Sequence, residues 1–322
     1  MTFFRKKSHS AAFCRFGKNL LLVSKPKLLK LPDNIIQWVV SFLTDREQFA
    51  KIDNRRSATR IITRSIIQGS GIGPTIFVIF VIDLHPLGLT NHITKYADDT
   101  SLLVPEKANI DITAEHVLKW AEVNELNINM AKTKELVFHR PNPRNFIAPD
   151  NIPEIDRVTC AKLLEVWLQD DLGAWKHCDY ILKICNQRLY LLNLLKKQGL
   201  LQLQLQTVFH AILISRLLYA APAWRGFERA ADIDCIQCML VKAKRWQLVS
   251  RDYKFMDMLN DCDIALYKAA CNTNHCLNHL FKPTQRFHDK ILRPRVHNYS
   301  LSKRKFQTSM NSFINRSLFA FV

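Results

Sequence analysis

The segment KYADDTSLLVP, residues 95–105, places two adjacent aspartates inside an otherwise apolar stretch. β-Branched and aromatic residues precede the pair, and leucine and valine follow it. This pattern predicts a β-hairpin with a short polar turn, and Asp98 and Asp99 lie at that turn. Neighbouring carboxylates repel each other unless a cation compensates, and hard oxygen ligands suit Mg²⁺. The alternative is a solvated turn, in which aspartate is an ordinary residue.

The composition favours a nucleic-acid partner. The chain has 322 residues, 48% of them hydrophobic, which is enough for two or three domains. Lysine and arginine outnumber aspartate and glutamate by 46 to 28, so the formal net charge is +18. A charge of this size favours a polyanionic partner, nucleic acid before anionic membrane.

The cysteines and the apolar runs indicate the cellular compartment in which the chain is expected. Nine cysteines at irregular spacing predict no disulfide framework, so we expect a reducing, intracellular compartment, the cytoplasm or the nucleus. The longest apolar run, near residues 76–82, is too short to span a bilayer, so we expect no membrane partner. The N-terminal residues include bases but lack the apolar core of a signal peptide. The sequence indicates no particular protein partner.

Helical periodicity recurs along the chain. LPDNIIQWVVSFLTDREQ (31–48) and ITAEHVLKWAEVNEL (112–126) predict amphipathic helices. Their predicted apolar faces are formed by Ile35, Trp38, Val39, Phe42 and Leu43 in the first and by Ala114, Val117, Leu118 and Ala121 in the second. NINMAKTKELVF (127–138) predicts a loop leading into a strand. Residues 176–280 are mostly helical by the same criterion, with Gly199 as a C-cap and Pro222 at the end of another helix.

The segment PNPRNFIAPDNIPEID, residues 141–156, is rich in proline and asparagine and is the best candidate for a domain boundary. Strands and helices mix before it, whereas helices dominate after it. The fold class predicted from this distribution of strands and helices is α+β. The predicted domains are 1–145, a helical region 146–281 and a basic tail 282–322.

The order of the motifs resembles the palm of a reverse transcriptase, specifically that of non-LTR (LINE-type) retrotransposons. In that family a QG-x-x-x-GP segment precedes a YADD box, an N-x-x-KT segment and an LG-V/I strand. The corresponding segments here are QGSGIGPTIF (68–77), the YADD of the opening stretch, NINMAKTKELVF and LLEVWLQDDL (163–172). SRLLYAAPAW (215–224) and LRPRVHNYSL (292–301) extend the resemblance over nearly the whole chain. It implies an RNA-directed DNA polymerase with a partial palm, no fingers region and a helical thumb.

The resemblance assigns roles to residues. Nucleotidyl transfer needs two metal ions held by carboxylates. Asp98 would be a Mg²⁺ ligand and Asp99 its supporting neighbour. Lys132, or as second choice Lys134, would be a proton donor to the leaving pyrophosphate. The substrate-binding positions would be Phe13, Gln68, Gly69 and Tyr96. The alternatives are that Gly69 only forms a turn and that Lys132 is an ordinary solvated lysine.

The N-terminal segment departs from the family pattern. The family's third metal-binding carboxylate comes from an earlier strand of the form LDFSKAFDxV. Here KSHSAAFCRFGKNLLL (7–22) stands in that place, with Ser8 at the metal-binding aspartate and Cys14 at the second acid. A hydroxyl is a weak ligand and a thiol is too soft for Mg²⁺. The preceding strand, which should be apolar, contains Arg5, Lys6 and Lys7. We therefore expect a catalytically defective fragment; the alternatives are a non-catalytic nucleic-acid-binding protein and an unselected reading frame.

Two basic segments with interleaved aromatic rings predict contacts with RNA and single-stranded DNA. Their candidate residues are Lys242, Lys244 and Arg245 in VKAKRWQLVSRDYKF (241–255), and Lys303, Arg304 and Lys305 in the tail. The alternative is a solvated surface. Cys235 with Cys238, and the group Cys271, His275, Cys276 and His279, could bind zinc, but we interpret them as core cysteines and helical histidines.

Overall fold

The computed structural model describes residues 2–5, 31–62, 69–124, 126–140, 146–283, 297–301 and 306–320. The chain forms two compact units, the first of residues 1–137 and 145–159, the second of residues 138–144 and 160–322. The chain therefore crosses between the units three times. Helices and small sheets both occur, in agreement with the predicted α+β class. The predicted division at residues 145 and 281 stays a prediction.

The first unit is built around a five-stranded sheet with helices beside it. Its elements are β1 (Thr2–Arg5), α1 (Asp33–Leu43), β2 (Arg46–Gln48), β3 (Lys51–Ile52), β4 (Arg55–Arg56), β5 (Arg60–Ile62), α2 (Gly73–Phe80), β6 (His92–Tyr96), β7 (Asp99–Leu103), α3 (Ile110–Val123), a 3₁₀ turn (Met130–Lys132), β8 (Lys134–Glu135) and β9 (Asp156–Arg157).

The sheet has the strand order β6-β7-β1-β8-β9. Strand β1 is antiparallel to both of its neighbours, while β8 and β9 run parallel. Helix α3 packs its apolar stripe beside the buried side chain of Leu102 on β7. Because β-strands alternate their side chains between faces, burial of Leu102 leaves its neighbour Leu103 exposed.

The two predicted helices of this unit are present. In α3 the predicted positions Ala114, Val117 and Ala121 are buried. The predicted apolar face of α1 is wrong in part, because Ile36 is buried in place of Ile35 and Trp38. Trp38 is 52% exposed and stacks on Phe42 with ring centroids 5.6 Å apart. The periodicity located the helix correctly but did not resolve which edge of its apolar stripe meets the core.

The proline-rich segment returns the chain to the first unit. Ile152 and Ile155 are buried in the core beside α3. Arg157 on β9 donates from Nε to Glu135 at 2.8 Å and from Nη2 at 3.1 Å, and its other donors reach the carbonyls of Pro149 and Asp150. Glu135 is 3% exposed, so this bidentate pair satisfies a carboxylate that would otherwise be buried alone.

The second unit is mainly helical. Its elements are β10 (Cys160–Leu163), β11 (Val166–Gln169), α4 (Trp175–Lys197), α5 (Gln202–Phe209), a π turn (His210–Ile214), α6 (Ser215–Leu217), α7 (Ala221–Trp224), α8 (Ala230–Arg245), α9 (Phe255–Ala270), a 3₁₀ turn (Asn278–Leu280), α10 (Gln307–Met310) and α11 (Phe313–Ala320). Strands β10 and β11 form an antiparallel hairpin.

Helix α4 supplies one side of the core of this unit. The sequence repeats Cys178, Leu182, Cys185, Leu189 and Leu192 at helical spacing, and all of these except Leu182 are buried. Burial raises the pKa of Cys178 to about 12 and that of Cys185 to about 11, so both thiols stay protonated and uncharged at neutral pH. The stretch Gln202–Trp224 is long and apolar enough to cross a bilayer. Its residues Leu205, Phe209, Leu213, Leu217, Ala221 and Trp224 are buried in the core of this unit.

Three predictions about the second unit are wrong. Pro222 does not end a helix but lies in the first turn of α7. Backbone N–H groups there have no acceptor within the helix, so proline, which lacks an N–H, is tolerated. Cys235 and Cys238 are exposed, since the buried face of α8 is formed by Ile236, Met239, Leu240 and Ala243. His275 lies in a turn before the 3₁₀ segment that contains His279, so the two histidines do not share an α-helix.

An ion triad ties together three helices of the second unit. Asp263 on α9, which is 8% exposed, accepts from Arg225 at 2.8 Å and from Arg316 on α11 at 3.1 Å. Arg316 also donates to the carbonyl of Pro222 at 3.3 Å. Burial lowers the pKa of Arg316, although Asp263 opposes that shift. Removal of the carboxylate would leave two guanidinium groups facing each other in a partly buried site.

Two helix ends provide a matched test of backbone strain. Gly199 follows α4 with φ of 93°, and Gln247 follows α8 with φ of 54°. Each position makes the hydrogen bonds of a left-handed C-cap, where glycine is favoured because it lacks Cβ. We expect Gln247→Gly to raise the free energy of unfolding by about 0.5–1 kcal/mol and Gly199→Ala to lower it by a similar amount. Urea unfolding followed by tryptophan fluorescence would measure both. Equal destabilisation by the two changes would contradict the strain at Gln247.

Buried His177 gives a test of pH dependence. It is 1% exposed, and burial first and the charges of Arg216 and Lys162 second lower its pKa from 6.5 to about 4. Between these two values the unfolded chain binds a proton that the folded chain does not, so stability increases with pH. We expect the free energy of unfolding to be highest above pH 6.5. As the pH falls to 4, protonation of His177 in the unfolded chain should lower it by about 3 kcal/mol.

The measurement is the free energy of unfolding in urea at several pH values between 4 and 7. His177→Gln should remove this part of the pH dependence. His85→Gln, a change at an exposed histidine of the first unit, should leave it intact. The same slope in wild type and His177→Gln would show that other groups cause the acid instability.

Candidate active site

The predicted β-hairpin around the aspartate pair is present. Strands β6 and β7 pair antiparallel from His92 opposite Leu103 to Tyr96 opposite Asp99. Ala97 and Asp98 form the two-residue turn. Asp98 is exposed on that turn, while Asp99 is the first residue of β7 and half-buried. The carboxylate-bearing positions are therefore held at the tip of the sheet by a regular ladder.

The turn itself carries backbone strain. Ala97 has φ of 45°, in the left-handed region, whereas Asp98 does not. A positive φ at only the first central position is the pattern of a type II′ turn, which normally has glycine there. A non-glycine residue in this region costs on the order of 1 kcal/mol, and such residues concentrate at functional sites.

The central strand β1 determines which residue types lie level with the aspartates. Arg5 is the register partner of Asp99, and Phe3 is the partner of both Ser101 and Lys134. Lys132 is the last residue of the 3₁₀ turn that precedes β8. Strand β1 therefore lies between β7, which begins at Asp99, and the segment that contains Lys132.

A lysine that sequence reasoning missed joins the hairpin to the glycine segment. Lys95 on β6 donates from Nζ to the carbonyls of Val81 at 2.7 Å and Leu84 at 3.1 Å, just beyond the C-terminus of α2. A cation is favoured there because the helix dipole is negative at that end. Gly69 is exposed with φ of 85° and open space where a Cβ would be. Alternation along KYADD was the only sequence signal for the role of Lys95.

Several predicted site residues lie outside the described residues. They are Ser8, Phe13, Cys14, Gln68, Lys303, Arg304 and Lys305. Among the described candidates, Asp98, Asp99 and Tyr96 belong to the β6–β7 hairpin and Lys132 to the 3₁₀ turn before β8, all in the first unit. Tyr96 is 64% exposed beside the hairpin turn.

The donor set at the hairpin suits a hard cation only in part. Two adjacent carboxylates offer oxygen ligands of the kind that Mg²⁺ binds, with water completing the shell. Over the described ranges, no group of three or more histidine, cysteine, aspartate or glutamate side chains could hold a metal ion. The described residues therefore fit a hydrated divalent cation but do not supply a site that bridges two.

The predicted basic residues of the second unit gather at the end of α8. The ammonium group of Lys242 lies 4.5 Å from the ring centroid of Trp246, while Lys244 pairs with Asp252. Arg245 is exposed. Lys196, at the end of α4, donates to the carbonyl of Trp246 at 2.8 Å. Cations beside an aromatic ring are present as predicted, although the charge of Lys244 is shared with an acid.

Comparisons with known proteins agree with this geometry. The family model described as "Reverse transcriptase (RNA-dependent DNA polymerase)" matches residues 22–166, which include α1, the glycine segment, the hairpin and Lys132. The RNA-directed DNA polymerase from mobile element jockey of Drosophila melanogaster is 29% identical over 130 residues, 36% of this chain. The probable RNA-directed DNA polymerase from transposon BS, also of Drosophila melanogaster, is 24% identical over 242 residues, 70% of this chain. The alignments cover 14% and 26% of those two relatives.

The strained turn can be tested without reference to catalysis. We expect Ala97→Gly to raise the free energy of unfolding by about 1 kcal/mol, because glycine reaches positive φ without a Cβ clash. The control is Ala131→Gly in the 3₁₀ turn, where the backbone has an ordinary φ and glycine should destabilise. Urea midpoints of the two variants would be compared with wild type. A loss of stability in Ala97→Gly as large as in the control would show that the turn is not strained.

Proposed function

We propose that this chain, which is similar to reverse transcriptases of non-LTR mobile elements, is a palm-and-thumb fragment of an RNA-directed DNA polymerase. The first unit would be the partial palm and the second a thumb-like helical region. The observation that carries the proposal is the aspartate pair at the tip of the β6–β7 hairpin, inside the segment that the family matches.

In this proposal the chain acts on a primer paired with an RNA template. The primer hydroxyl attacks the α-phosphate of a nucleotide, and pyrophosphate leaves. Reverse transcriptases use divalent metal ions, which neutralise charge at the transferred phosphate. Asp98 and Asp99 would hold such an ion, with Mg²⁺ the expected one. Lys132 would carry the proton that the leaving pyrophosphate accepts.

The remaining predicted residues would position the substrates. Tyr96 is exposed beside the turn, and Gly69 leaves open space for close approach of a nucleotide or template. Phe13 and Gln68 would join them from segments outside the described residues. RNA and single-stranded DNA would bind along Lys242, Lys244 and Arg245, and along Lys303, Arg304 and Lys305 of the tail.

The fragment is proposed to be catalytically defective. Ser8 stands where the resemblance places the third carboxylate, and Arg5 is the register partner of Asp99. A basic residue therefore stands level with Asp99 in a strand that the resemblance predicts to be apolar. Two carboxylates without a bridging third would hold a metal ion weakly and through water.

A second candidate function follows from the same observation. If the site no longer binds metal, the chain is a non-catalytic nucleic-acid-binding protein. The cationic residue in β1 favours this alternative, and so does the basic cluster with its ring at the end of α8. The eight cysteines of the described chain are free thiols, in keeping with the proposed intracellular location.

Incorporation of labelled nucleotide on a primed RNA template with Mg²⁺ tests the proposal. We expect the unmodified chain to incorporate at background level, unchanged in Asp98→Ala. A graft of a family-like fingers region and an apolar strand with the LD-x-S sequence ahead of Ala11 should restore incorporation, and Asp98→Ala in the graft should abolish it. Ser8→Asp alone should not suffice, because Arg5, Lys6 and Lys7 remain.

The outcomes separate the two candidates. Robust incorporation by the unmodified chain that depends on Asp98 would overturn the proposed defect. A graft that binds template–primer but incorporates nothing would overturn the polymerase assignment and leave the binding function. Lys132→Ala in the active graft should lower incorporation about 10²–10⁴-fold, the range typical of a general acid.

A further inference from the structure

A β-ribbon that the predicted site does not use extends from the first unit after α1. Strands β2 and β5 pair from Arg46 opposite Ile62 to Gln48 opposite Arg60. Ser57 continues the ladder by donating its N–H to the carbonyl of Ala50 at 2.9 Å, and β3 and β4 complete it. The tip is the turn at Asp53 and Asn54. About seven residues separate base from tip, so the ribbon is about 23 Å long.

The ribbon presents its side chains to solvent. Every residue from Glu47 to Ile61 is exposed. Ile52 and Ile61 are 75% and 73% exposed, and they leave the ribbon without a core of its own. Arg46 at the base is different, because it donates to the carbonyl of Leu43 at 3.1 Å and so fastens the ribbon to the end of α1.

Four cations lie along the exposed part, against the two acids Glu47 and Asp53. They are Lys51, Arg55, Arg56 and Arg60. In the described ranges no ion pair joins any of the four to a carboxylate. The guanidinium group of Arg56 lies 3.5 Å from the ring centroid of Phe49. The cations are therefore available to an outside partner, with one ring beside them.

The pairing places like charges where they destabilise the ribbon. Lys51 and Arg56 are direct cross-strand partners. Like charges in that arrangement repel, whereas opposite charges would contribute roughly 0.2–1 kcal/mol. Arg55 precedes Arg56 in the chain and points to the opposite face, because side chains alternate along a strand. Cations thus occur on both faces of a narrow ribbon, at a position where folding alone would disfavour them.

We propose that the ribbon 46–62 binds the phosphates of a nucleic-acid duplex, with Lys51 and Arg56 toward one wall of a groove and Arg55 toward the other. The major groove of B-form DNA, about 12 Å wide, admits a two-stranded β-ribbon, and phosphates line both walls. A single strand would need cations on one face only. The inference deepens the proposed function, since it gives the nucleic acid a contact surface apart from the hairpin.

A competing explanation is that the charges only protect exposed strand edges. Lysine and arginine on an unpaired edge discourage pairing with another chain. Charge of either sign gives that protection, whereas binding to phosphate requires positive charge. Lys51→Glu separates the two, because it keeps a charge on the edge, creates a favourable pair with Arg56 and removes one cation.

The test is binding of a fluorescein-labelled 20-base-pair DNA duplex to the full chain, by anisotropy, in EDTA and between 50 and 200 mM salt. We expect Lys51→Gln with Arg56→Gln to reduce the slope of log Kobs against log salt by about 1.8, since each lost duplex contact removes about 0.9. The matched control is Lys107→Gln with Lys119→Gln, which removes the same charge from exposed positions of the same unit. The control slope should equal that of wild type.

Lys51→Glu supplies a readout of folding. Amide hydrogen exchange at Ser57 should slow, while the salt slope falls by at least 0.9 relative to wild type. Lys107→Glu, with the same change of net charge, should alter neither quantity. Faster exchange at Ser57 together with weaker binding would mean that the ribbon had unfolded, and would overturn the assignment of these cations to phosphate.

Three further results would overturn the proposal: an unchanged slope in the ribbon double variant, an equal fall in the control, or tighter ribbon-dependent binding to a single strand of the same length. EDTA makes the assay independent of metal and of catalysis. A failed incorporation experiment therefore leaves this result standing, and a failed ribbon experiment leaves the polymerase assignment standing.

Discussion

The backbone ladder between β1 and its two neighbours holds the first unit together. Strand β1 lies between the β6–β7 hairpin and the short strands β8 and β9. Without it the hairpin would be an isolated two-stranded ribbon, which is at best marginally stable in water. The same four residues pair with β8, directly after the 3₁₀ turn that contains Lys132, and set Arg5 opposite Asp99. Position and chemistry of the site therefore depend on one short strand.

Local patterns in the sequence predicted what depends on local structure. The hairpin at Asp98, the helices α1, α3 and α4, and the cap at Gly199 follow from periodicity and turn chemistry, and all are present. The placement of β1 could not be predicted in this way, because its partners lie far along the chain and its residues are basic beyond Arg5. The exposed faces of Trp38 and Cys235 were missed for a related reason: the partner of a helix decides which edge of its apolar stripe is buried.

The basic side chains that produce the high net charge differ in their surroundings: some bind groups inside the protein and others are exposed to solvent. Lys95 and Arg157 bind carbonyls and carboxylates inside the first unit, and Arg225 and Arg316 do so in the second. Lys244 is partly neutralised by Asp252. Composition alone predicted a polyanionic partner but could not separate these internal cations from exposed ones such as Lys51 and Arg245. That distinction required the burial and partner of each side chain.

The return of the chain to the first unit at residues 145–159 has a consequence for synthesis. A ribosome releases residues in order, so the sheet waits for its last strand until Arg157 has emerged. Until then Glu135 lacks its guanidinium partner, and the core lacks Ile152 and Ile155. The first unit is therefore compact in space but discontinuous in sequence. A reading frame interrupted between residues 137 and 157 would produce a sheet with an unneutralised interior carboxylate, which is a substrate for proteolytic quality control rather than a stable smaller domain.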